Sequence, residues 1–247
     1  MSQFSFDLFI ELDKFRDIVF HDSVHSYYFG TDQCTSVTSV INSYKKNFEA
    51  EKIAFFYGKK NNMTQDEVLE MWDKQKTDAA DAGTHVHKYF EMAIACKKYE
   101  EDHLIPEEMI KPSQKFISMI KNKLIPIRSE LVVGDKSRLI CGMIDQIFYN
   151  KKAKQLQIWD YKTNKKFRRK SEYKNKMING LEHLEECEMN TYSLQLGLYK
   201  KIIEKNTNIK LGDSYICWIN REKESPEIIK TKTLTDEVNL IWDNLMQ

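Results

Sequence analysis

LQIWDYKTNK, Leu156–Lys165, sets Asp160 and Lys162 two residues apart inside a run whose other members, Leu156, Ile158, Trp159 and Tyr161, suit a buried strand. Side chains alternate along a strand, so residues two apart share a face. An acid and a base therefore stand together at the end of a core strand. An ion pair within one face would account for them; so would one edge of a metal-dependent active site. The stretch by itself leaves both open.

Two runs before it extend the pattern. IPIRSELVVG (125–134) and RLICGMIDQIFYN (138–150) read as strands, joined to each other by GDKS and to the third run by NKKAKQ. Asp145 falls near the middle of the second strand, and Asp160 near the end of the next. A short turn makes the two strands antiparallel, so their carboxylates can converge. Two anions on an apolar sheet are costly unless a cation neutralises them. Magnesium or manganese suits such an all-oxygen pair. Lys162 is then placed to orient an attacking water and to balance charge on a phosphate.

Helical patterns surround the strands. TQDEVLEMWDKQKTDAADAG begins with a capping box, Thr64 to Glu67, and is expected to stop near Gly83; THVHKYFEMAIACKK (84–98) then reads as a separate helix and SQKFISMIKNK (113–123) as a third. His87 and Glu91 lie four apart, on one helix face. Beyond a charged interval, TYSLQLGLYKKIIEK (191–205) is helical and presents Tyr192, Gln195 and Tyr199, with the last two on a face distinct from Leu194 and Leu198. SYICWIN and EIIKTKTL read as paired strands, and DEVNLIWDNLMQ as a closing helix. Upstream, IVFHDSVHSYYF (18–29) reads as two strands around a turn, and TSVTSVINSYKKNF and AEKIAFFYGKK as short helices, the first capped by Thr35 or Ser36. With no internal repeat and no linker-like boundary, one α/β domain with a mixed central sheet over residues 1–247 is the economical organisation, carrying an N-terminal helical and hairpin extension over about residues 1–82.

Composition narrows the function classes. Over 247 residues, 41% are hydrophobic and 30% charged, as in ordinary globular proteins, and the net charge of +1 announces no polyanionic partner. Charge distribution says more: Lys162 to Lys176 holds eight Lys/Arg against Glu172 alone, and Leu181 to Glu188 holds four glutamates. Five scattered cysteines without a CxxC pair suit reduced, mostly packed thiols rather than zinc, an iron–sulfur cluster or a disulfide framework. No run approaches the length of a bilayer span, and the first residues carry acids where a signal peptide would be basic, so the chain reads as intracellular and cytoplasmic.

Taken together, GTHVHKYFE, GMIDQIFY, WDYKT and YSLQLGLY resemble the motifs of the PD-(D/E)XK nuclease superfamily, and more closely its RecB-like exonuclease branch, which includes mitochondrial genome maintenance exonucleases and phage relatives. The resemblance covers roughly residues 35–220. It implies the restriction-endonuclease-like core of helix, three strands, helix and strand, with a mixed central sheet flanked by helices. It further implies a metal-dependent DNA exonuclease acting on single strands or ends in replication, recombination or repair, with Mg²⁺ or Mn²⁺ as cofactor and DNA as partner. A structure-specific or restriction-type endonuclease on the same core, or a non-catalytic DNA-binding recombination partner, are the alternatives.

Residue by residue, the resemblance makes Asp145, Asp160, Lys162 and Gln195 catalytic. His87, Asp145, Asp160 and the Tyr161 backbone carbonyl become metal ligands, with Glu91 and Glu130 as further candidates. Gln195 and Tyr199 match a QxxxY motif that contacts the DNA strand and supports the lysine. Tyr192, Lys165, Lys166, Arg168, Arg169 and Lys170 are expected along the DNA path, where Phe167 and Tyr173 could stack on bases. The terminal cysteine set of cluster-bearing relatives is missing, so no iron–sulfur cluster is expected. The interval from Asn164 to Asn190 is longer than the family's pattern. The blander readings are a solvated basic loop, structural roles for His21, His25, His103 and His183, and core positions for Trp72, Trp159, Trp218 and Trp242.

Overall fold

The computed structural model describes residues 3–245. Seven α-helices and eight strands follow the chain in the order α1 (Gln3–Leu12), β1 (Ile18–His21), β2 (Ser26–Phe29), β3 (Asp32–Ser36), α2 (Val37–Asn42), α3 (Ala50–Asn61), α4 (Gln65–Ile94), α5 (Glu107–Ile120), β4 (Leu124–Asp135), β5 (Ile140–Asn150), β6 (Gln155–Lys162), α6 (Glu188–Asn206), β7 (Leu211–Trp218), β8 (Glu227–Lys230) and α7 (Thr235–Asn244). Met246 and Gln247, the last two positions of the expected closing helix, lie outside the described residues. The architecture is mixed α/β, and no helix among the described residues is long and apolar enough to cross a membrane.

All eight strands join one sheet, ordered β1-β2-β3-β5-β6-β7-β8 with β4 also paired to β5. Strand β5 organises it. Along one edge it pairs antiparallel with β4 from Ile140 to Asn150. The opposite edge is shared: β3 runs parallel to its start at Ile140 and Cys141, while β6 runs antiparallel to Gln146–Asn150. Between Gly142 and Asp145 that edge has no strand partner. The sheet is thus open at the level of Asp145, and continuing the β5–β6 register by one step sets Asp145 across from Asp160.

Each face of the sheet carries its own core. Ile144, Ile158 and Ile216 pack with Leu194, Leu198 and Ile202 of α6 and with residues of α1, α2 and α7. On the other face Phe148, Trp159, Tyr161 and Cys217 meet Phe90 of α4 and Met109 and Phe116 of α5. The alternation along β6 sends Ile158, Asp160 and Lys162 toward α6 and sends Trp159 and Tyr161 into an aromatic cluster, where the Phe90 and Tyr161 ring centroids are 4.6 Å apart. Large apolar side chains fill both sides of the strand that carries the acid–base pair, which holds it rigidly.

Several expectations need correcting. The helices expected on either side of Gly83 are one helix of 30 residues, α4, begun by the expected Thr64–Glu67 capping box. Gly83 keeps a helical backbone, since among the described glycines only Gly30 and Gly180 have positive φ. Its missing side chain instead allows close approach: a Cβ there would lie 3.2 Å from Thr163 Oγ1. Helix α5 starts at Glu107, earlier than Ser113, and accommodates Pro112 early in its length. Strand β3 was not anticipated because DQCTS lacks apolar alternation; it forms through tertiary pairing with β5, with Cys34 turned inward. Trp159, Trp218 and Trp242 are buried, but Trp72 is half-buried, between Phe48 and Tyr57 on the α3–α4 hairpin. Four of the five free cysteines are buried and Cys96 is exposed.

Gly142 tests how tightly α6 sits on the open stretch of β5. A Cβ at Gly142 would fall 2.6 Å from Tyr199 Cε1. Gly142→Ala is expected to cost about 1–3 kcal/mol of unfolding free energy by overpacking, read from denaturant titration; an unchanged midpoint would contradict this packing.

Candidate metal centre

Where β5 and β6 part, the peptide group of Tyr161 loses its ladder partner and is satisfied by side chains. Its N–H donates to Asp145 Oδ2 at 2.6 Å, and its carbonyl lies 3.0 Å from His87 Nε2, delivered by α4. A carbonyl only accepts, so Nε2 is the donor and carries the proton. The other ring nitrogen, Nδ1, stands 3.6 Å from Asp145 Oδ2. A metal ion held here would have the imidazole, the Asp145 carboxylate and the Tyr161 carbonyl as neighbouring donors.

Glu130 completes the group. It lies on β4 opposite Asp145, between the pairs Ser129–Gln146 and Leu131–Ile144, and its backbone is left-handed, with φ of +48°. A non-glycine residue held there inside a strand stores backbone strain, a feature that concentrates at functional sites. Atoms of His87, Glu130 and Asp145 all come within 4.8 Å of one another, the sole such group among the described residues. Two carboxylates, an imidazole and a backbone carbonyl form a donor set that could hold a divalent metal ion.

Asp160, also expected among the ligands, lines the same cleft but lies outside the three-residue group. It is 2% exposed, and its Oδ2 lies 2.5 Å from Lys162 Nζ without the directionality of a hydrogen bond. Gln195 Nε2 approaches its other oxygen at 3.5 Å and donates to the Tyr199 hydroxyl at 3.2 Å. Burial raises the Asp160 carboxyl against the pull of Lys162. For Lys162 burial works downward, but Asp160 and Asp145 outweigh it and hold the ammonium above the usual lysine range. The Tyr192 ring supports the same ammonium from 4.8 Å. Glu91 is engaged by Lys88 at 2.7 Å and stands outside the three-residue group.

These groups line one open cleft of about 850 Å³. Its far wall was not anticipated: the β1–β2 hairpin contributes Asp22, His25 and Tyr27, and α4 contributes Ala79 and Ala80. The hairpin was legible in sequence, but only the parallel pairing of β3 with β5 carries it to the cleft. His25, read as structural or exposed, therefore faces the same space.

The expected DNA-contact residues divide. Lys165 and Lys170 are exposed, while Lys166 meets Glu172 at 3.2 Å and Arg169 meets Glu227 at 2.8 Å. Arg168 is bound by Glu188 through Nε at 2.9 Å, so this guanidinium ties the long interval to the start of α6 instead of standing ready for a phosphate. The glutamates downstream fold back on the basic run, as Ser171 N–H donating to Glu185 also shows. Phe167 packs against Tyr192 and Trp218 and is not an open stacking platform, whereas Tyr173 is 79% exposed. Tyr199 is 3% exposed yet borders the cleft beside Gln195, whose Nε2 donates to its hydroxyl; burial raises its hydroxyl pKa.

No family model matches the chain, and no curated protein does. Among solved structures, one described as "Crystal structure of SSO0001" aligns over 69% of this chain and 73% of its own, with 14% identity and a TM-score of 0.29. At that score the likeness supports no conclusion about fold or activity.

Glu130 gives the site a pH signature. Burial, with the charges of Asp145 and Glu91, pushes its carboxyl up to about 8 from an ordinary value of 4.5. Between those values the folded chain keeps a proton that the unfolded chain has released, so the stabilising contribution is complete below 4.5 and lost as pH rises through 8. The metal-free protein should therefore lose thermal stability over that window, Glu130→Gln should flatten the slope, and Mn²⁺ should restore stability at the alkaline end. A melting curve whose pH dependence ignores the substitution would refute the assignment.

Proposed function

We propose that this chain is a divalent-metal-dependent nuclease built on a PD-(D/E)XK core, hydrolysing DNA phosphodiester bonds as an exonuclease on single strands or ends. The observation that carries the reading is the meeting of His87, Glu130 and Asp145 with the Asp160–Lys162 pair in one cleft, at the break in the β5 edge. The order α4, α5, β4, β5, β6, α6, β7 supports the core assignment, with β7 parallel to β6.

His87, Asp145, Glu130 and the Tyr161 carbonyl would hold the ion, with Asp160 beside them. A bound Mg²⁺ or Mn²⁺ supplies a water of lowered pKa and polarises the phosphodiester. Lys162, charged and fixed by Asp160 and Tyr192, donates to the attacking oxygen and stabilises charge developing on phosphorus. Gln195 holds the orientation of Asp160, and Tyr199 holds Gln195. The water oxygen would bond to phosphorus as the bond to the 3′ oxygen breaks, and the proton released by the water would end on that 3′ oxygen, leaving a 5′-phosphate and a 3′-hydroxyl. Lys165 and Lys170 line the expected path of the strand beyond the Asp160 strand.

A degradation time course on linear and circular single strands, each with Mg²⁺, Mn²⁺ or EDTA, tests the reading. Linear DNA should be lost with metal alone and circles should survive; cutting of circles would make the activity an endonuclease. Asp160→Ala and Lys162→Ala should each lower the rate by roughly a thousandfold or more, the scale of removing a preorganised charge from a transition state. Near-normal cleavage in both would refute the mechanism.

A further inference from the structure

On the far side of α6 from the cleft lies a second cavity, of about 450 Å³, bounded by α6, the β7–β8 pair and the start of α7. Four lysines line it: Lys200 and Lys201 on α6, Lys230 on β8, and Lys232 just beyond. Their partners are unusual for clustered ammonium groups. Lys201 Nζ donates to Asn239 Oδ1 at 2.6 Å, Lys232 Nζ to Asn190 Oδ1 at 2.7 Å, and Lys200 Nζ to the Gly212 carbonyl at 3.3 Å. Those acceptors are uncharged, so they fix the ammonium groups in place without cancelling their charge. Lys230 is matched by a carboxylate, Asp213, at 2.8 Å. The other acid on the wall, Glu204, already accepts the Leu211 N–H through Oε1.

Four lysines against Asp213 and Glu204 leave the wall with net positive charge, which an anion would offset. The rest of the wall is suited to phosphate oxygens: Ser214, Thr233 and Thr235 offer hydroxyl groups, while that of Thr231 donates to the Ser214 carbonyl, and no aromatic residue is present to stack on a base. The volume exceeds what a single phosphate fills and falls within the range of small-molecule sites. A concave pocket also differs from the extended track that a nucleic-acid backbone follows.

We propose that this pocket binds a condensed phosphate chain, either tripolyphosphate or the triphosphate of a nucleotide, through Lys200, Lys201 and Lys232. The site is separate from the cleft: α6 turns Gln195 toward Asp160 on one face and Lys200 toward the pocket on the other. It does not depend on the nuclease reading.

Isothermal titration of the full chain with sodium tripolyphosphate, in EDTA at low salt, tests it. One equivalent should bind to the unaltered protein. The Lys201→Gln/Lys232→Gln double variant should bind at least about tenfold more weakly, while Lys201→Arg/Lys232→Arg keeps binding and guards against a folding defect. Lys162→Gln should leave binding intact. ATP and GTP binding equally would assign recognition to the phosphate chain. No binding by the unaltered protein, loss in Lys162→Gln instead of the pocket variant, or a DNA oligonucleotide displacing tripolyphosphate from this pocket would each overturn the proposal.

Discussion

The peptide group of Tyr161 is the constraint from which the candidate site follows. At that residue β6 leaves β5, and a strand edge deep in a protein cannot leave an N–H and a carbonyl unpaired without a cost of about 1–3 kcal/mol each. Asp145 takes the N–H and His87 takes the carbonyl. One backbone unit thereby fixes a strand acid and a helix histidine to each other. Tyr161 is anchored in turn by its own ring, packed among Phe90 and Phe116, so hydrophobic burial on one face of the sheet positions polar groups at its edge.

Concentrated negative charge is the second theme. Glu130, Asp145 and Asp160 share a partly desolvated corner, and the fold manages them separately. Asp145 accepts a backbone N–H, Asp160 is neutralised by Lys162, and Glu130 holds its proton to higher pH on a strained backbone. A left-handed glutamate that retains its proton beside two further carboxylates is poorly explained by stability alone. A divalent cation held by Glu130 and Asp145 would offset their charge in place of that proton.

Much of this was legible in sequence, for identifiable reasons. Strands β4 to β6 announced themselves because alternating apolar residues and short polar turns encode local pairing. The Thr64–Glu67 cap was readable because a capping box is a four-residue device. Gly83 misled, since a glycine that ends a helix and one that admits a neighbouring chain look alike without Thr163 in view. Strand β3 and the hairpin wall of the cleft were hidden because their placement depends on pairing with a strand about a hundred residues later. The basic run from Lys162 to Lys176 is largely exposed, as its charge suggests, but Glu188 claims Arg168 and Phe167 turns inward against Tyr192 and Trp218, contacts that no local pattern records.

By itself, then, the sequence determined the α/β class, the succession of strands β4 to β6, and the shared face of Asp160 and Lys162, because periodicity and turn chemistry act over a few residues. Only the tertiary structure decided that Glu130 clusters with His87 and Asp145, and that the Tyr199 hydroxyl is buried against Gln195. Those outcomes turn on one residue's positive φ and on where the β5 edge loses its partner. Both are set by packing between distant segments, which no local pattern records.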